Sequence, residues 1–374
     1  MPITGLKTTQ CNHPVMRRRT FVGAVGGGAV AGVAGCLTRD STSGGSDGDT
    51  LRIATYPSMV EEGDPAGVWL KEAFESAYPE AEISWTVPEN GINTYIQRAR
   101  QDTVDADVYF GLNIDELVRV DDSLDGQLFR SLEWDRIEGV DRLRDDLTFG
   151  DPNGRVLPYD TGYISLVYDE SVVAPPESLD ALLGAEYEDT LITQNAQSSD
   201  PGLAFLLWTI AEYGADGYLE YWRALRDNGV QILDGWSESY FGSYTEEERP
   251  MIVSYSTDQV FHATGDEPDL TRHQIAFPNG QGYENPEGMA IFADSDKADL
   301  AADFMAFVLS SEAQAEIAQR NVQFPAVADD HVDLDESFSQ YAHAPAEPVT
   351  FTYDDLRGTL NGWIEDWARE FASQ

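Results

Sequence analysis

The segment Ser198-Ser199-Asp200-Pro201-Gly202 precedes an apolar run, residues 203–208, that reads as a helix opening there. Polar residues at the cap and proline in the first turn are helix-start signals, and the N–H groups at such an end, with the helix dipole, can receive an anion or a hydroxyl. An ordinary capped helix carries the same signature. A second candidate is Asp234-Gly235-Trp236-Ser237-Glu238-Ser239-Tyr240, where a tryptophan follows a glycine in polar surroundings. Core tryptophans normally lie in apolar runs, so Trp236 either packs structurally or presents a face to a cleft, where it attracts a desolvated cation by about 2 kcal/mol. Tyr255, in Tyr255-Ser256-Thr257-Asp258 at the end of a strand, has the same character. These residue types suit holding a small molecule rather than making or breaking bonds.

Enzyme signatures are poor by comparison. His13 lies in the leader, and His262, His273, His331 and His343 show neither His-Glu-x-x-His spacing nor a nucleophile elbow. No phosphate-cradling loop and no Gly-x-Gly-x-x-Gly occurs, and carboxylate pairs carry no information in so acidic a chain. Cys11 and Cys36 both precede the folded part, which excludes disulfides, cysteine-ligated zinc and thiol catalysis there. A binding protein with no cofactor and no metal is the expectation, and a surface-anchored enzyme is the lesser alternative.

The elements that must position these groups belong to a chain of 374 residues with 67 Asp+Glu against 23 Lys+Arg, a formal net charge of -44. Such a charge excludes non-specific affinity for nucleic acid or anionic lipid. The length suggests two domains, and 42% hydrophobic residues suffice to build cores in both. Only Lys7, Lys71 and Lys297 are lysines, while acids run along the chain from Asp40 onward. This composition reads as adaptation to molar salt, where a Debye length of roughly 3 Å screens carboxylates that would otherwise repel one another.

Residues 16–36 read as an address: Arg17-Arg18-Arg19, a short weakly apolar Gly/Ala/Val stretch, then Val33-Ala34-Gly35-Cys36. Arg18-Arg19-Thr20-Phe21 resembles a twin-arginine export signal, and the ending resembles a lipobox in which Cys36 becomes the lipidated first residue. Met16 can also serve as the start. Residues 1–35 are thus expected to be a signal peptide and residues 36–49, rich in Ser, Gly and Asp, a flexible tether. Removal of residues 1–35 takes away Lys7, Arg17, Arg18 and Arg19 and no acid, so the mature charge falls by four to -48. The expected location is the outer face of the cell membrane, held by lipid alone.

Residues 51–55 alternate as a strand that stops at a turn, Tyr56-Pro57-Ser58; residues 68–74 repeat as a helix; residues 83–87 alternate again. A helix near residues 94–100 and an apolar strand at residues 106–110 continue the pattern, which argues for an α/β sheet with ligands at the carboxyl ends of its strands. The loops at those ends are Tyr56-Pro57-Ser58, Glu89-Asn90-Gly91 and Gly111-Leu112-Asn113. Further on, a second region begins near residues 157–168; strands are expected at residues 189–193, 251–255, 274–277 and 288–292, and helical sequence at residues 201–213, around Trp222 and at residues 297–319, the last broken near Ser310.

Several segments in order resemble one family, the thiamine-binding proteins that feed ATP-driven importers: Thr55-Tyr56-Pro57-Ser58, Glu89-Asn90-Gly91, residues 106–113 and 158–163, Ser199-Asp200-Pro201-Gly202-Leu203, Gly235-Trp236-Ser237-Glu238 and Ser254-Tyr255-Ser256-Thr257. They span nearly all of residues 50–374. The resemblance implies an α/β, two-lobed type II periplasmic-binding-protein fold whose ligand cleft lies between lobes joined by hinge strands. Lobe 1 would comprise residues 50–159 plus 275–320 and lobe 2 residues 160–274 plus 321–374. By the same resemblance Asn90, Gly91, Ser199 and Trp236 would surround the hydroxyethyl or phosphate end of thiamine, Tyr56 would face the cleft, and Tyr255 with Phe261 would cover the rings. Two positions depart from the family: Val322 replaces a stacking tryptophan, and Phe261 stands where a tyrosine is usual. The implied partners are importer permease subunits, with the protein itself a monomer. Ferric iron and polyamines are ligands of neighbouring families with the same fold; no Tyr-Tyr pair of the ferric kind exists here.

The charge generates a first prediction. Folding should require high salt, with circular dichroism showing loss of structure as KCl is lowered toward about 10 mM, where the Debye length is roughly 30 Å. Undiminished stability there would overturn the halophilic reading.

Overall fold

Leu51 and Ile53 pack on one side of the first strand and Ala54 on the other, as the two-residue period of a strand requires. This strand, β1 (Thr50–Ala54), leads into a short helix, α1 (Pro57–Val60), in place of the expected plain turn, because Pro57 occupies the first helical position. Then follow α2 (Ala66–Ala77), β2 (Glu82–Thr86), α3 (Ile92–Ala99), β3 (Val108–Leu112) and α4 (Ile114–Ser123), with β2, β1 and β3 parallel. Val108 and Phe110 join Leu51 and Ile53 against Leu70 and Phe74 of α2, whereas Tyr109 faces Tyr95 and Ile96 of α3. The sheet is therefore covered on both faces, as parallel strands demand.

The structure, a computed structural model, describes residues 50–61, 63–263 and 268–371, all within one compact unit, Asp47–Gln374. The signal peptide, Cys36 and tether expected for residues 1–49 lie outside the described residues. Among the described residues no helix is long and apolar enough to cross a membrane.

The remaining elements are β4 (Val156–Tyr168), β5 (Leu191–Gln194), α5 (Asp200–Asp227), β6 (Gln231–Leu233), β7 (Met251–Tyr255), α6 (Asp258–His262), β8 (Gln274–Ala276), β9 (Gln281–Ile291), α7 (Ala298–Val308), α8 (Ser311–Arg320), β10 (Phe324–Pro325), α9 (Glu336–Tyr341), β11 (Glu347–Val349), α10 (Tyr353–Leu356) and α11 (Leu360–Phe371). Strand order is β2-β1-β3-β9-β4-β7-β5-β6. A second parallel group, β7-β5-β6, is thus joined to the first by two long antiparallel strands, β9 and β4, paired from Val156↔Ala290 to Ile164↔Tyr283.

Two expected elements prove longer than read. The helix expected to end near Tyr213 and the helical stretch around Trp222 form one element that runs to Asp227 through a kink at Gly214, whose φ of 73° and ψ of 168° only glycine adopts without strain. The strand expected at residues 288–292 begins at Gln281, because polar Glu284, Asn285 and Glu287 are buried within it and mask its apolar pattern. The break near Ser310 holds: Ser310 caps α8 by accepting from the Ala313 N–H.

Arg155, fully buried at the start of β4, donates to both Asp121 oxygens of α4 at 2.8 and 2.7 Å and to Asp151 at 2.8 Å, while Tyr353 of α10 donates to Asp121 at 2.5 Å. Burial works against the Asp121 charge, but the bonds from Arg155 and Tyr353 outweigh it and hold its pKa below the usual value. This contribution is present above the unfolded pKa and is lost as pH falls through the folded one. Arg155→Ala should lower the unfolding free energy by about 3–5 kcal/mol, since Asp151 and Asp121 lose the guanidinium they share and only Arg357, at 3.5 Å, remains beside Asp121. Denaturant titration at fixed KCl measures it; a loss under about 1 kcal/mol would mean that desolvating the guanidinium offsets the attraction.

Candidate ligand-binding site

Tyr56, Ser199, Trp236, Tyr255 and Phe261, each singled out in the sequence, line one cavity of about 450 Å³. They arrive from separated elements: the end of β1, the cap of α5, the turn after β6, the end of β7, and α6. The carboxyl ends of strands in both parallel groups supply them, which is where an open α/β sheet leaves its crevice.

Tyr56 lies over Gly111, where an added Cβ would stand 2.4 Å from its ring, so a glycine at a φ of 99° is what admits the tyrosine. Its hydroxyl donates to Glu287 Oε2 at 2.8 Å and accepts from Asn321 Nδ2 at 2.9 Å. Asn321 Nδ2 also reaches Asp160 Oδ2 at 2.9 Å, and Tyr159 donates to Glu287 Oε2 at 2.5 Å. Asp160 Oδ1 is buried with no partner. The two carboxyl groups stand opposite each other in the β4–β9 register. Burial, then the charge of Glu287, pushes the Asp160 pKa well up. Burial also raises Glu287, to about 7, against the opposing bonds from Tyr159 and Tyr56.

Trp236 is half-buried in the first turn of an irregular helix, rather than in the loop that its neighbours suggest. Its Nε1 donates to Ser254 Oγ at 3.0 Å and its ring stacks on Tyr240 at 4.9 Å and 20°. The residue packs beside Tyr240 and also lines the cavity. Phe261 is 57% exposed, an unusual position for so large an apolar ring. Ser199 caps α5, but its hydroxyl makes no capping bond and is buried without any partner, so a ligand atom can meet it. Val322 also lines the cavity, at a φ of 54°, a costly conformation for a β-branched residue.

Asn90 and Gly91 are not among the lining residues. Gly91, at φ 51° and ψ -136°, turns the chain into α3 beside Tyr109 and Glu116, and Asn90 is exposed with its N–H bonded to Thr94. Their position at the end of β2, the sheet's outer strand, carries them away from the floor formed by β4 and β9. Sequence reading assigns no role to Glu287, Asp258, Asn321 or Tyr240, although Tyr240 and Asp258 stand in the segments quoted around Trp236 and Tyr255. A carboxylate inside an otherwise buried strand was the available signal for Glu287; the others are assembled by tertiary folding.

Three carboxylates, Asp200, Asp258 and Glu287, border the cavity with these rings. Arg320, the single basic residue among its described lining residues, is paired with Glu316 and Asp64. Aromatic faces beside carboxyl groups are the chemistry that suits a cationic, ring-bearing solute.

Two parallel strand groups bridged by antiparallel strands, with a solute cavity bordered by both, define an α/β, two-lobed solute-binding protein of the type II periplasmic-binding-protein fold. Residues 120–346 match the family described as bacterial extracellular solute-binding protein, and this chain belongs to that family. It is 30% identical over 322 residues to the thiamine-binding periplasmic protein of Salmonella typhimurium, covering 85% of this chain and 92% of that one, and equally so to that of Escherichia coli strain K12. A solved periplasmic thiamin binding protein superposes with a TM-score of 0.71 at 28% identity, over 86% of this chain and 95% of that one. The ferric binding protein from Campylobacter jejuni, at 17% identity and a TM-score of 0.69, shares the fold.

The Asp160 and Glu287 pair generates a pH prediction. A carboxyl whose folded pKa is raised stabilises the fold below its unfolded pKa and loses that contribution as pH rises through the folded value. Glu287→Gln should therefore stabilise the ligand-free protein at pH 8, by on the order of 2–3 kcal/mol, and leave it nearly unchanged at pH 5. Thermal melts at fixed KCl check it; equal effects at both pH values would place the proton elsewhere.

Proposed function

We propose that this protein captures thiamine or one of its phosphates outside the cytoplasm and delivers it to the permease subunits of an ATP-driven importer. The observation that carries the reading is the cavity itself: Trp236, Tyr255, Tyr56 and Phe261 offer ring faces, and Glu287 and Asp258 offer carboxyl groups that a cation would favour in their ionised form, around a space fit for an aromatic cation. The names of the relatives support the same ligand. In this reading a thiazolium ring lies among the aromatic residues, and the hydroxyethyl or phosphate end meets Ser199 at the start of α5, where unpaired N–H groups favour an anion. Asn90 and Gly91 join that end only if the lobes close further.

Lobe 1 in this proposal comprises residues 50–159 plus 275–320 and lobe 2 residues 160–274 plus 321–374, with β4 crossing between them. The protein acts as a monomer, tethered through a lipidated Cys36 to the outer membrane face, and binds without chemistry. Val322, lacking a ring, leaves the choice between thiamine and its phosphates to Ser199 and the α5 terminus.

Tryptophan fluorescence in molar KCl tests the ligand, with thiamine, thiamine monophosphate, spermidine and ferric citrate as titrants. Saturable binding of a thiamine compound, tighter than the other two, is expected; preference for spermidine or ferric citrate would overturn the proposal. Trp236→Ala should weaken thiamine binding about thirtyfold in calorimetry, the equivalent of one lost cation–π contact of roughly 2 kcal/mol. Unchanged affinity with a lowered melting temperature would make Trp236 a packing residue alone.

A further inference from the structure

Behind Trp236 and Tyr240, at the edge of the cavity, Asp258, His262 and His273 bring one carboxylate oxygen and two imidazole nitrogens within 4.8 Å of one another. We propose that these three residues form a binding site for a divalent transition-metal cation of the zinc type. The site is separate from the aromatic faces assigned to the organic ligand, although Asp258 also borders that cavity.

The donor set supports this. Two imidazoles and one carboxylate suit zinc, cobalt or nickel, whereas calcium and magnesium take oxygen alone. Asp258 and His262 stand four apart on α6, so helical geometry puts them on one face. His273, the residue before β8, is brought to them from another part of the chain; its Nδ1 lies 2.7 Å from Asp258 Oδ2. Asp258 is buried while both histidines are half-buried, which leaves a path for entry.

Outer partners are present as well. Tyr240 donates to Asp258 Oδ1 and stands 2.8 Å from His262 Nε2, and the competing cation nearby, Arg272, is committed to Asp169 at 2.8 Å and to the Tyr244 carbonyl at 2.5 Å. Such partners orient ligands and tune affinity. The two imidazole rings stack at 3.6 Å and 17°. Nitrogen distances of about 2.0–2.1 Å to one ion require the rings to turn out of parallel, which rotation of two half-buried side chains can supply. Three protein ligands leave a fourth position for water, the arrangement of an open zinc site.

Cobalt titration of the full chain in molar KCl tests the site. The expected result is one equivalent of Co²⁺ giving the intense visible ligand-field absorption of a nitrogen-bearing site of low coordination number, displaced by one equivalent of Zn²⁺. Surface carboxylates alone give weakly absorbing six-coordinate cobalt. His273→Ala and Asp258→Asn should each weaken binding by roughly a hundredfold or more, since altering even an outer partner costs about 10–100-fold. Asp330→Asn, at an exposed position, should change nothing. Absence of the band, or its persistence in a folded His273→Ala protein, overturns the proposal. Should either variant fail to fold, ¹⁵N resonances of His262 and His273 in the unaltered chain decide: saturable shifts of both at one equivalent of Zn²⁺ support the site, and unmoved resonances overturn it.

Discussion

The pairing of β4 with β9 is the constraint on which the rest depends. All of β4 is buried, and its register with β9 sets Asp160 against Glu287 in the floor of the cavity. A register shift around Tyr159 interrupts the ladder between Pro158 and Asp160, and the Tyr159 carbonyl is taken up by Gln314 and Ala326 instead. Bulges of this kind re-aim side chains next to functional sites, and here the tyrosine reaches Glu287. Because β4 and β9 each run from one parallel group toward the other, they also determine which strand ends face each other across the cleft. A one-residue slip would turn both carboxyl groups to the opposite face.

The same chemical group does opposite things at two depths of this molecule. Asp121 and Asp151 are buried against a guanidinium that meets them edge-on with several donors, and their charge ties α4 to the start of β4. Asp160 and Glu287 are buried against hydroxyls and an amide, which donate hydrogen bonds but carry no charge. Desolvation then dominates and a proton is retained. A cationic ligand restores the missing counter-charge, so the cavity floor is least favourable when empty and ionised. The acidic exterior has no share in this selectivity in molar salt, because screening at roughly 3 Å erases distant charges while contacts in the cavity persist.

An aromatic column connects the cavity wall with the histidine pair: Trp236 stacks on Tyr240, and Tyr240 lies at 27° to His262, which stacks on His273. Tyr240 is the common member, buried and bonded to Asp258. Ring positions in the wall therefore depend on the arrangement of polar groups behind it. Packed rings do not slide past one another at small cost, so the wall is stiff wherever its polar backing is satisfied.

Local signals sufficed for much of this protein. Alternation at Leu51 and Ile53, helical spacing through Phe74, the Ser310 cap and the Pro201 start each rest on interactions within a few residues, and so the sequence alone determined the α/β class and most elements. The ordered motifs also pointed to Tyr56, Ser199, Trp236, Tyr255 and Phe261 as neighbours. What only the tertiary structure decided is the polar backing of the site: Glu287 beside Tyr56 is a contact across 231 positions, and Asn321 beside Tyr56 one across 265. Asn90 and Gly91 sit apart from the cavity although their motif reads like the others, because the sheet order sends β2 to the edge. Periodicity reports which face of an element is apolar. Which buried acid meets which hydroxyl depends on strand order and register, and these are set by the packing of the whole sheet.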